Sequence, residues 1–145
     1  MTAEYSNLEA PLEVGLADPA NSAVSITSTS SQRVEVNRPL DSLLITKCSS
    51  LAVYINAEVK ELRIVESSGT EINAEAQVFK TTIEQSDKTE LHFGANSHFG
   101  PIQTVGPCKG TTVCLPEACN MIPATKEGRT LLATLSADFQ QLEFV

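Results

Sequence analysis

The sequence predicts an all-β fold, a right-handed parallel β-helix of short rungs that ends in a C-terminal β-hairpin. Three observations predict it. Apolar residues return every nineteen positions, as in Ile26, Ile45, Ile64, Ile83 and Ile102. Within each segment apolar and polar residues alternate, as in Val34-Glu35-Val36, Val53-Tyr54-Ile55 and Leu91-His92-Phe93. Short polar stretches follow the isoleucines at the same period: Ser28-Thr29-Ser30, Lys47-Cys48-Ser49, Glu66-Ser67-Ser68 and Gln85-Ser86-Asp87.

Each observation has a physical reading. Alternation at period two places one face of a strand in a core and the other in solvent. Small polar residues suit tight turns because they bond their own backbone. Two strand segments and two turns in nineteen residues make one rung of a coil. Stacked rungs superpose like residues about 4.8 Å apart, so five rungs would stand about 24 Å tall. Helical repeats need about 33 residues or more, and the Leu/Asn pattern of leucine-rich repeats is absent.

The elements follow in order. Residues 1–10 are expected to form a flexible tail, and residues 11–145 a single β-helix domain. Leu12, Val14 and Leu16 alternate and begin the first rung. Val24, Leu43, Leu62 and Thr81 stand two residues before the isoleucines, in a series that ends at Gly100. A second pair of columns runs Val34, Val53, Ile72, Leu91 and Val36, Ile55, Ala74, Phe93. After Phe93 the register slips by three residues and resumes at Val113 and Leu115. Pro116, Pro123 and Gly128 then punctuate a loop.

The chain from about 129 to 145 reads as a hairpin, with Ser136-Ala137-Asp138 as its turn. Its apolar residues are Leu131, Leu132, Leu135, Phe139, Leu142 and Phe144. An open coil exposes an unpaired strand edge at its end. The hairpin could cover that edge, or pair with a second copy. The apolar strand running to Val145 favours the second copy and hence a homodimer.

Composition limits the function. The chain has 145 residues, 41% of them hydrophobic and 5% aromatic, so its core is built from Val, Ile, Leu and Ala. A net charge of −8 disfavours nucleic acid and anionic membranes. No apolar run approaches the roughly 20 residues of a membrane span, and no signal peptide is legible. Without an export signal, Cys48, Cys108, Cys114 and Cys119 are expected as free thiols in a cytoplasmic protein.

No catalytic set is recognisable, and no enzyme activity, cofactor or metal is expected. His92 points outward from a strand, and His98 falls in a loop. Cys108, Cys114 and Cys119 could join His98 around zinc, but only one of their spacings reaches the usual C-x₂₋₄-C range. Asn56-Ala57-Glu58 and Asn73-Ala74-Glu75 read as polar turns near matching points of successive rungs. Long polysaccharide-cleaving β-helices need many more rungs than this chain provides.

The stretch from Val34 to Ser97 resembles the C-terminal domain of the cyclase-associated proteins. The likeness lies in Leu40-Asp-Ser-Leu-Leu-Ile-Thr-Lys-Cys48, and continues in Leu51, Val59, Ile64, Ser67, Ile83, Asp87, Asn96 and Ser97. Val113-Cys-Leu-Pro116 resembles the last coil of that family. The resemblance implies a right-handed β-helix that dimerises by exchanging its C-terminal hairpin. It implies a partner, monomeric actin in its ADP form above all, and a role in sequestering actin or promoting its nucleotide exchange. A cytoplasmic, cytoskeleton-associated protein is implied as well.

Two departures stand out. Ser49 and Ser50 replace the lysine pair common after the family's first Cys. The helical domain, proline-rich linker and basic segment of larger members are not expected either, which would make this a short protist-like form. In an acidic chain that meets an acidic partner, the few cations matter at the interface. The candidate actin-binding residues are Arg38, Lys47, Lys60, Arg63 and Lys80.

The chain is also similar to the tubulin-folding cofactor C family, which implies an alternative: a module acting on a small GTPase or tubulin. Arg63 falls where GTPase-activating members carry an arginine finger. The flanking Gln and His of that motif are replaced by Glu61 and Val65. A carboxylate beside the finger would repel the phosphate.

Overall fold

A computed structural model describes residues 2–7, 9–14, 23–94, 102–105, 110–115, 118–121, 131–135 and 142–144. It is a parallel β-helix. One side of the coil is formed by β3 (Ala23–Thr27), β5 (Leu40–Thr46), β7 (Val59–Val65), β9 (Val78–Glu84) and β11 (Ile102–Val105). The other side is formed by β2 (Leu12–Val14), β4 (Arg33–Val36), β6 (Ala52–Ile55), β8 (Glu71–Ala74), β10 (Glu90–Phe93) and β12 (Thr112–Leu115). Strands β2 to β11 pair off into five rungs.

The stack is in register. Val24, Leu43 and Leu62 are successive partners, as are Ile26, Ile45, Ile64 and Ile83. On the other side Val34, Val53, Ile72 and Leu91 align. These side chains are buried and fill the lumen of the coil. Between the two sheets, Ser30, Ser49, Ser68 and Asp87 bridge from rung to rung.

Two left-handed residues flank that bridge in each rung. The first column is Ser28, Lys47, Glu66 and Gln85, with φ of 52, 53, 49 and 48°. The second is Ser31, Ser50, Gly69 and Lys88, with φ of 53, 53, 68 and 54°. Such φ values are uncommon outside glycine. Here the rung-to-rung hydrogen bonds hold them: Lys47 donates to the carbonyl of Val65 at 3.0 Å, and Ser50 to that of Ser68 at 2.9 Å.

The end of the stack departs from the period. Leu91 partners Val113, the expected slip of three. Ile102, however, does not continue the isoleucine column. It partners Thr81, and Thr104 partners Ile83. The slip before β11 is two residues, and an even slip keeps the same side chains inward. Ile102 is fully buried and Thr104 nearly so.

Three further expectations are corrected. Within the segment read as a tail, Thr2–Ser6 form β1, parallel to β3 with Tyr5 opposite Ile26. Tyr5 packs on the core, covering the lumen that the first rung would leave open. Within the loop expected after Leu115, Ala118–Met121 form β13, antiparallel to β12. Cys114 is disulfide-bonded rather than a free thiol. The β12–β13 reversal sets Cys119 opposite Cys114, a proximity the sequence spacing did not reveal.

The hairpin comprises β14 (Leu131–Leu135) and β15 (Leu142–Phe144), paired antiparallel. Strand β14 joins the first sheet beside β11, with Leu131 opposite Thr104, and β15 ends that sheet. Phe139, also expected in the hairpin, lies outside the described residues.

Candidate functional site: the outer face of the eight-stranded sheet

Strands β5, β7 and β9 of this sheet bend near their starts. In β7, Val59 and Leu62 are buried while Lys60 and Glu61 both face solvent. Phe79 and Lys80 repeat that outward pair in β9. Past the bend alternation resumes and Arg63 points outward. Three of the five candidate cations, Lys60, Arg63 and Lys80, therefore share one face over two adjacent rungs.

The other two lie elsewhere. Arg38 is half-buried at the corner before β5, and Lys47 occupies the left-handed turn after it. The seven residues of β5 separate them, a length of about 23 Å at a strand's rise.

Each cation on the face has its own setting. Lys60 pairs with Asp41 at 3.2 Å, and Arg63 donates to Glu84 Oε2 at 3.3 Å. All four side chains are substantially exposed, so these pairs orient more than they stabilise. Lys80 makes no ion pair among the described residues. Arg63 also lies on the same strand face as Glu61 and is tied down by Glu84, a poor setting for a finger that must reach a phosphate.

Sequence reasoning missed the apolar part of the face. Phe79 is 42% exposed, the one large hydrophobic side chain so exposed among the described residues. Leu44 and Val65 are half-buried and point outward on the same sheet, in the rows of Arg63 and Glu84, further along the strands than Phe79. The signal was Val78-Phe79 itself. Val78 partners Val59 in the core, which forces Phe79 out. Phe79 is thus an exposed apolar side chain set among charged ones, with Lys80 next to it in β9 and Lys60 at the matching bend of β7, a composition suited to protein contact.

The turns carry the buried polar chemistry. Cys48 lies in a column with Thr29, Ser67 and Ser86. Its thiol donates to the carbonyls of Thr46 at 3.3 Å and Ile26 at 3.6 Å. Burial pushes this thiol up from its ordinary value, which makes it a poor nucleophile. His98 and Cys108, the remaining members of the weighed zinc set, lie outside the described residues. The two Asn-Ala-Glu segments do not match in space: Asn56 donates to Asn37 Oδ1 at 2.9 Å, while Asn73 aligns with Tyr54.

A stacked coil of two parallel sheets with a terminal hairpin defines a β-helical module. The profile of one protein family, described as adenylate cyclase associated (CAP) C terminal, matches residues 4–121. The chain belongs to this family, which is actin-related. A crystal structure of cyclase-associated protein from Cryptosporidium parvum is similar over 99% of this chain and 89% of that one, with a TM-score of 0.69 and 14% identity. At that identity the likeness concerns the fold. No curated protein matches the chain.

Proposed function

We propose that this chain binds monomeric actin, preferring the ADP form, and regulates filament turnover by sequestering actin or promoting its nucleotide exchange. Membership of the family over residues 4–121 carries this reading. The face formed by Phe79, Leu44, Val65, Lys60, Arg63 and Lys80 supports it. Among the described residues Lys80 is the cation of this face with no carboxylate partner, so it is the first candidate to meet an acidic partner. Arg38 and Lys47 belong to the same proposal only if the contact wraps around β5.

Nucleotide exchange would need no catalytic group from this chain. Binding that favours an open nucleotide cleft shifts a population already present in actin. The homodimer would form when the hairpin of one copy takes the place of β14 beside β11 of its partner. The proposed setting is the cytoplasm. No helix among the described residues is long and apolar enough to cross a membrane.

The test is binding of the purified chain to ADP-actin and ATP-actin monomers, followed by release of labelled nucleotide. Tighter binding to ADP-actin and a changed release rate are expected. No binding to either form at micromolar concentration would overturn the reading.

A further inference from the structure

We propose that the outer face of the other sheet carries a divalent metal site, suited to Zn2+, built from Glu71, Glu90 and His92. This site is on a different face from the proposed actin contact and does not depend on it. Glu71 on β8 and Glu90 on β10 are register partners, so their side chains emerge side by side on adjacent rungs. Like charges directly opposite one another destabilise a sheet unless a cation lies between them. His92 follows Glu90 on the same face of β10.

The donor atoms converge without satisfying one another. Nε2 of His92 is 3.7 Å from Glu90 Oε2 and 4.0 Å from Glu71 Oε1. Both separations exceed a hydrogen bond. The Nε2 atom is itself buried and has no hydrogen-bond partner. One ligand atom from each of the three residues lies within 4.8 Å of the others. Zinc bonds of about 2.0–2.2 Å in a tetrahedron place ligands about 3.4 Å apart. Against that spacing the triad, with atoms 3.7 to 4.8 Å apart, is open by about 0.3 to 1.4 Å, within reach of rotations of the two glutamates.

The surroundings fit the same reading. Imidazole with carboxylates favours zinc over magnesium or calcium, which take oxygen ligands. Two carboxylates neutralise the dication, and the fourth position is left to water. Ala52 and Thr112 flank the two glutamates in their row, and Asn73 and Cys114 flank His92. None of these brings a competing positive charge. Arg33, further along the row, is engaged with Glu35 at 2.9 Å and lies over the Tyr54 ring.

The experiment is calorimetric titration of Zn2+ into the full chain with its disulfide intact. One ion per chain is expected. His92→Gln and, separately, Glu71→Gln should each weaken binding about tenfold or more. Both positions are on the outer face, and circular dichroism confirms the fold of each variant. Should one fail to fold, the other carries the test. Co2+ should bind without a thiolate-to-metal charge-transfer band. Absence of zinc binding at millimolar concentration, unchanged affinity in a folded variant, or a thiolate band would each overturn the proposal.

Discussion

The backbone N–H of Cys48 donates to the hydroxyl of Ser67, one rung further along, across 3.2 Å. The N–H of Ser67 in turn donates to the hydroxyl of Ser86 at 3.1 Å. Each of these hydroxyls also donates to a carbonyl of its own rung, Ser67 to Val65 at 3.0 Å and Ser86 to Glu84 at 2.9 Å. The column thus satisfies buried turn backbone that neither sheet reaches. Ser67→Ala removes an acceptor and leaves the Cys48 N–H buried and unpaired. Urea denaturation should show a loss of about 1–3 kcal/mol. Ser67→Thr should lose less, because Thr29 occupies the same column with its hydroxyl bonded to Thr27.

Cys48 should tolerate serine, since two of its column neighbours are serines. The pH dependence supplies a sharper test. Burial is the main cause of its raised pKa, and the backbone at Thr29 and Thr46 opposes it less strongly. The unfolded thiol therefore ionises at a pH where the folded thiol does not. The stability this contributes is fully present below the unfolded value of 9.0 and is lost as pH rises through the folded value. The native chain should lose stability above pH 9.0 faster than Cys48→Ser. Parallel curves for the two would show that the thiol does not titrate in this way.

Ile64 and Arg63 are adjacent in β7 and face opposite ways. Ile64 is fully buried at mid-stack, between Ile45 and Ile83. Ile64→Ala should cost about 2–5 kcal/mol in urea or thermal unfolding. Arg63→Ala loses an exposed pair and should cost under about 1 kcal/mol. Equal losses would contradict the assignment of inner and outer faces.

The proposed dimer rests on the hairpin. A chain ending at Gly128 should remain folded by circular dichroism and sediment as a monomer, whereas the full chain sediments as a dimer. A folded, dimeric truncation would show that the copies associate through another surface.

Much of this architecture was legible in the sequence, because a stacked coil repeats its demands at every rung. The columns headed by Val34 and Ile26, the turn column containing Cys48, and the slip at Val113 were all readable as spacing. What escaped notice broke the period. Ile102 sits at the right spacing for the isoleucine column but pairs with Thr81, because an even slip leaves the inward pattern intact. Strand β1 has no period to betray it and owes its place to Tyr5 covering the lumen. The candidate site was half visible. Lys60, Arg63 and Lys80 were singled out for charge, while the bend that turns Phe79 outward disturbs alternation and depends on the rung below.

The most direct test of the functional account is the affinity of the native chain and of Lys80→Glu for ADP-actin monomers, measured side by side by fluorescence. Micromolar or tighter binding is expected of the native chain. Lys80→Glu should lose at least about tenfold in affinity, since charge reversal sets like charges together at an interface, with the fold unchanged. Equal affinities would remove this face from the contact, and no binding by the native chain would contradict the actin reading itself.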